Sequence, residues 1–170
     1  REDGHKLDRH FGQAIDCLLL VRRIILRVIN PLSAGGEAVG LPRLAPDELD
    51  PVGASTRGLG ELLLAALAER PSSLLVCPGG TATVDGGIGL RNTVGTWLRG
   101  VSIRVACDVR NPLLGERGAA RVFGPQKGAT RETIPYLEQR LASLDELAPY
   151  RDLPGAGAGG GLGAALAALG

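Results

Sequence analysis

The chain has 170 residues, 44% of them apolar and 22% charged, which suits a globular domain with room for one core or one and a half. A net charge of +1, from 19 basic and 18 acidic residues, excludes the basic footprint of a nucleic-acid binder. Three scattered cysteines, Cys17, Cys77 and Cys107, and two histidines, His5 and His10, form no CxxC or HxxxH pair, so a structural zinc site is excluded; the odd cysteine count points to a reducing cytoplasm.

Residues 1–13 are polar and mixed in sign, and His5 and His10 read there as solvated. Residues 14–29 suit a helix, although the β-branched Ile24, Ile25, Val28 and Ile29 also allow a strand at its end. Asp16, Arg22, Arg23 and Arg27 break this run, so neither a membrane span of about 20 apolar residues nor a signal peptide is expected. A weaker alternative makes the Arg-studded Leu18–Ile29 segment a peripheral membrane or interaction module.

Residues 30–50 are rich in Pro and Gly and read as irregular. Ser55 or Thr56 can cap a helix over 58–69, whose Leu59, Leu62, Leu63, Ala66 and Leu67 share one face and which Arg70-Pro71 ends. The apolar run 73–77 predicts a buried strand of a parallel sheet. A helix opens over 88–97, and Val101, Ile103, Val105 and Cys107 alternate as a strand over 101–107. Residues 131–147 predict a helix with Pro135 in its first turn and Thr133 as a cap. A Gly-rich turn then leads into an Ala/Leu helix. This alternation predicts a layered α/β fold on a parallel sheet.

Four constellations carry chemistry. The first is GGTATVDGG, Gly79 to Gly87, directly after a strand. Glycine lets backbone N–H groups come close to phosphate, Thr81 and Thr83 add hydroxyls, and Asp85 could hold Mg²⁺ through water or accept a proton. The plainer alternative is a tight turn around a buried carboxylate. The second is DVRN, Asp108 to Asn111, beyond the carboxyl end of a strand, where open sheets bind ligands. Taken alone, it reads as a turn cluster.

The third is FGPQKGAT, Phe123 to Thr130, in which Lys127 can neutralise phosphate charge or simply face solvent. The fourth is Gly155 to Gly160, a literal GxGxxG with no strand before it. It is read as an anion site at a helix start or as a flexible tail, not as a dinucleotide fingerprint.

Together, DVRNPLLGERGAARVFGPQKGA resembles the DVxNPLxGxxGAaxVFGPQKGA signature of the glycerate kinase family. GGTATVDGG is similar to that family's GGSATxDGG loop, and LPGAGAGGGLGAAL to its LPGAGAAGGLGAAL segment. GLPRLAPDELDPVGASTRGLGELLLAAL resembles the usual lead into the first loop. The chain departs from the pattern at Cys77-Pro78, is short between Leu90 and Val101, and has neither an APDSFKG region nor a TGEGRxDxQTxxGK region.

The resemblance divides the chain into an unassigned segment, 1–35, and a partial kinase-like α/β region, 36–170, the middle of a two-domain architecture. It implies transfer of the ATP γ-phosphoryl group to a hydroxyl of D-glycerate, with Mg²⁺. It makes Asp85 or Asp108 the base or metal anchor and Lys127 the phosphate partner. Gly79, Gly80, Thr81, Thr83, Gly86, Gly87, Gly157, Gly159 and Gly160 become nucleotide contacts, and Asn111 and Gln126 substrate contacts. The alternative is a non-catalytic remnant that at most binds a nucleotide or an anion.

Overall fold

The computed structural model describes residues 40–170. The expectations for residues 1–35, including the 14–29 element and both histidines, lie outside the described residues.

Short 3₁₀ turns at Leu41–Arg43 and Pro46–Glu48 lead to helix α1, Arg57–Leu67. The helix forms where its leucines repeat at helical spacing: Leu59, Leu62, Leu63 and Ala66 are buried. It stops where Arg70 adopts a left-handed backbone before Pro71. Strand β1, Ser73–Val76, follows; helix α2, Ile88–Val94, then crosses to strand β2, Ser102–Val105. The strands run parallel, with Ser73 opposite Ser102 and Val76 opposite Val105. Helix α3, Ala119–Phe123, precedes a 3₁₀ turn at Pro125–Lys127. Helix α4, Thr133–Ala142, another 3₁₀ stretch at Asp145–Tyr150 and helix α5, Ala158–Leu169, complete the order.

The α/β reading holds, with three differences of detail. The 131–147 helix divides at Ser143: the Ser143 hydroxyl donates to the Arg140 carbonyl (2.8 Å), and Leu144 leaves helical geometry. Thr133 is the first residue of α4 and not its cap: its hydroxyl accepts from the Thr130 N–H (2.8 Å), and the Thr130 hydroxyl accepts from the Thr133 N–H (3.3 Å). Strand β2 is poorly covered, with Ser102, Arg104 and Val105 exposed, whereas β1 buries Leu74 and Val76.

Two apolar clusters hold the fold. One joins α1, β1 and α2 through Leu59, Leu63, Val76, Leu90 and Val94. The other joins α3 and α4 through Ala119, Ala120, Leu137 and Leu141, and reaches Val84 and Leu147. Helix α5 enters both, with Leu162 and Leu166 in the first and Ala164 and Ala165 in the second. Each fully buried leucine contributes about 1.5–3 kcal/mol.

Candidate functional site

Parallel pairing puts the loops that leave β1 and β2 at one edge of the sheet, since both follow strand carboxyl ends. The first loop starts in the open: Gly79 and Gly80 are exposed, and a side chain built on Gly79 would meet nothing within 4 Å. The Gly80 carbonyl accepts from the Leu41 N–H (2.8 Å), and Thr81 forms an isolated bridge with Gly40. From Thr81 to Gly87 every residue is buried. The glycines of this loop therefore divide: Gly79 and Gly80 face outward, while Gly86 packs on Leu141 and Leu144 and Gly87 on Ala165.

Asp85 is 4% exposed and ties two helix starts together. Its Oδ2 accepts from the Thr56 N–H (2.8 Å), the Thr56 hydroxyl (2.9 Å) and the Gly89 N–H (3.3 Å). Its Oδ1 accepts from the Gly87 N–H (3.0 Å). The Thr56 hydroxyl in turn accepts from the Leu90 N–H (2.9 Å). The carboxylate thus sits at the positive ends of α1 and α2, where free N–H donors and the helix dipoles stabilise its charge. Three of the four donors fall on Oδ2 and one on Oδ1, an arrangement that matches the turn around a buried carboxylate that the sequence offered as the plainer alternative to a base or metal ligand. Thr56 stands next to α1 in sequence, but its hydroxyl caps α2; the Ser55 hydroxyl accepts from the Arg57 N–H (3.2 Å).

Lys127 is only 2% exposed, against the usual fate of a lysine. The 3₁₀ turn that begins at Pro125 carries it inward from Gly124. Its Nζ donates to the Thr83 carbonyl (2.7 Å) and the Thr81 hydroxyl (3.2 Å). Burial pushes its amine down to about 8, partly opposed by the charge of Asp85. The Thr83 hydroxyl is buried and has no partner among the described residues. Gln126, on the same turn, is exposed.

The fourth constellation is a built turn and not a tail. Gly159, Gly160 and Gly161 take successive left-handed conformations (φ 61, 72 and 96°), which only glycine adopts in series at low cost. The turn packs on the first loop: the Gly160 carbonyl accepts from the Gly86 N–H (3.0 Å), and a Cβ at Gly160 would run into the Thr83 carbonyl. A Cβ at Gly159 would lie 2.7 Å from the Pro78 carbonyl. On its other side the Gly157 N–H donates to the Asn111 carbonyl (2.9 Å). Close backbone packing accounts for Gly157, Gly159 and Gly160.

The α5 turn therefore lies between the GGTATVDGG loop and DVRNP. Asp108 is exposed beyond β2. The Asn111 side chain donates to the Arg117 carbonyl (2.8 Å) and so closes its own loop. Among the described residues, no three His, Cys, Asp or Glu side chains cluster to hold a metal ion. Nor is any helix there long and apolar enough to cross a membrane.

A sequence model described as the glycerate kinase family matches residues 34–100 and 91–170. The chain belongs to the glycerate kinase family. It is 36% identical over 168 residues to "Glycerate 2-kinase" of Escherichia coli (strain K12), and 39% identical over 169 residues to "Glycerate kinase" of Halalkalibacterium halodurans. Each comparison covers 78% of this chain and 44% of the relative, so the chain spans less than half the length of these curated glycerate kinases. The crystal structure of putative glycerate kinase 2 from Salmonella typhimurium LT2 superposes with a TM-score of 0.70 at 35% identity, over 79% of this chain and 46% of that one. The family model takes the chain in two stretches that overlap at 91–100.

Sequence reasoning reached Thr56 only as a helix cap and did not reach Arg140, which donates to the Val84 carbonyl (2.6 Å).

Proposed function

We propose that this chain carries part of the active centre of a glycerate kinase, which moves the γ-phosphoryl group of ATP to a hydroxyl of D-glycerate. The observation that carries this reading is the seat of Lys127. The lysine of FGPQKGA is docked on the hydroxyl and carbonyl of the GGTATVDGG loop in a member of this family.

Phosphoryl transfer asks the protein mainly to neutralise charge and to place the reacting groups in line. Below pH 8 the Lys127 amine is charged, and two of its three N–H bonds are directed to the loop. In this reading the third is directed to a phosphate oxygen. Gly79 and Gly80 present open backbone beside it, where a phosphate can approach without meeting a side chain. Asp108, the remaining carboxylate of the set, follows β2 at the same sheet edge and in this reading either accepts the proton of the substrate hydroxyl or anchors the metal. Gln126 and the polar edge of DVRN are offered to the hydroxy acid.

Asp85 does not fit Mg²⁺, because its oxygens already accept from Thr56, Gly87 and Gly89. Asp108 fits, since Mg²⁺ often takes one or two carboxylates and completes its shell with water and phosphate oxygens. Bound there, it would supply charge neutralisation at the nucleotide.

A coupled ADP-release assay with D-glycerate and Mg-ATP tests the reading. Turnover that Lys127→Ala lowers by about a hundredfold or more supports it; an unchanged rate removes Lys127 from the site. The second reading is a nucleotide- or anion-binding domain without turnover. It predicts Mg-ATP binding by well-folded protein that releases no ADP.

A further inference from the structure

Arg140 lies on α4, outside all of the glycine loops, yet its guanidinium reaches two of the segments that build the site. Nη1 donates to the Val52 carbonyl (2.6 Å) and Nη2 to the Val84 carbonyl (2.6 Å). Val84 is fully buried and stands between Thr83, whose carbonyl receives Lys127, and Asp85, whose carboxylate receives Thr56. Val52 lies in the turn that Asp50 organises, where Oδ1 accepts from the Val52 and Gly53 N–H groups (3.1 and 2.9 Å), and this turn feeds α1. Just before it, Leu49 packs against Gly128, the residue after Lys127. One planar side chain thus spans the two chain segments that meet around Lys127. A guanidinium fork satisfies two carbonyls at once in fixed geometry; an ammonium is a point charge on a flexible stem.

We infer that Arg140 is the positioning residue of this site: by holding the Val52 and Val84 carbonyls it sets the Thr83 carbonyl on which the Lys127 amine docks. The inference rests on the proposed role of Lys127 as phosphate partner.

The test is an NMR titration of the Lys127 side-chain nitrogen in the whole chain with labelled lysine, the signal assigned by its loss in Lys127→Arg. Asp85 is the charged group that acts on this amine, and it is left in place in every variant. The wild-type midpoint is expected near the buried value of about 8. In both Arg140→Met and Arg140→Lys, water should reach the loosened amine and move its midpoint up by about one unit or more. Arg140→Lys keeps the charge and the stem, so it separates the fork from the charge.

Folded variants that both titrate like the wild type overturn the inference. So does a shift in Arg140→Met alone, which would be a charge effect, and so does a wild-type midpoint at the ordinary lysine value. If Arg140→Met does not fold, Arg140→Lys decides. Calorimetry with Mg-ATP is a separate arm. Affinity about tenfold weaker in both variants supports the inference. A wild-type chain that binds no Mg-ATP sinks the nucleotide reading, and the titration still decides the role of Arg140.

Discussion

Asp85 and Thr56, 29 residues apart in sequence, are joined twice: the same carboxylate oxygen accepts from the backbone N–H of Thr56 and from its hydroxyl. This joint fastens the start of α1 to the start of α2 and fixes the loop that runs from β1 into α2. A joint of this kind stabilises the fold, which sets the expectation for Asp85→Asn. The amide presents an N–H₂ group where the carboxylate only accepted, against a ring of donors. The variant should lose about 2–4 kcal/mol of stability in urea unfolding. A variant as stable as the wild type but without ADP release would return Asp85 to the chemistry.

Thr56→Val separates the hydroxyl from the rest of the joint. It keeps shape and volume but removes the link between the Asp85 carboxylate and the Leu90 N–H. A loss of about 1–2 kcal/mol is expected, the cost of a helix cap with one buried donor left unpaired. A thermal midpoint equal to the wild type would show that water replaces the hydroxyl.

The pH dependence of stability has a defined sign. Lys127 has its amine lowered from 10.5 to about 8 in the folded chain, while the unfolded chain keeps the ordinary value. Between these values the unfolded chain binds more protons, so stability gains as pH rises through the window. Below pH 8 the cost of burying the charge is present in full; above 10.5 both states are neutral and it vanishes. Urea unfolding of wild type and Lys127→Met at pH 7.5 and pH 10 reads this directly. The gap between them should move toward the wild type by on the order of 1–2 kcal/mol. A flat gap would place the amine in water.

Gly79 and Gly160 should separate nucleotide contact from packing. Gly160→Ala forces a Cβ onto the Thr83 carbonyl at a φ of 72° and should cost about 2–4 kcal/mol or prevent folding. Gly79→Ala meets nothing and should leave the melting temperature within a degree or two of the wild type. If Gly79 lies under a phosphate, the same methyl should weaken Mg-ATP binding at unchanged stability. Unchanged affinity would move the phosphate elsewhere.

The sequence carried the parts of the fold that local pattern controls. The leucine spacing of α1 and the apolar run of β1 follow from side-chain periodicity, and the motif match identified the family. The tertiary partners were hidden for a physical reason. Asp85 receives its donors from a helix start 29 residues earlier, and Lys127 reaches the Thr83 carbonyl across 44 residues. No local pattern around either residue distinguishes a buried partner from solvent, so Asp85 reads as chemistry or as a turn, and Lys127 as chemistry or as a solvated side chain. Likewise, the alternation in β2 marks a strand without saying what covers it, and Val105 proves 38% exposed.

Because α5 contributes Leu162 and Leu166 to one cluster and Ala164 and Ala165 to the other, neither cluster can open without disturbing the same helix. Heating or denaturant should therefore dissolve the described region in one cooperative step. An anion held where the α5 turn meets the first loop would resist that step as a whole, so ligand binding there would raise the melting temperature of the entire unit.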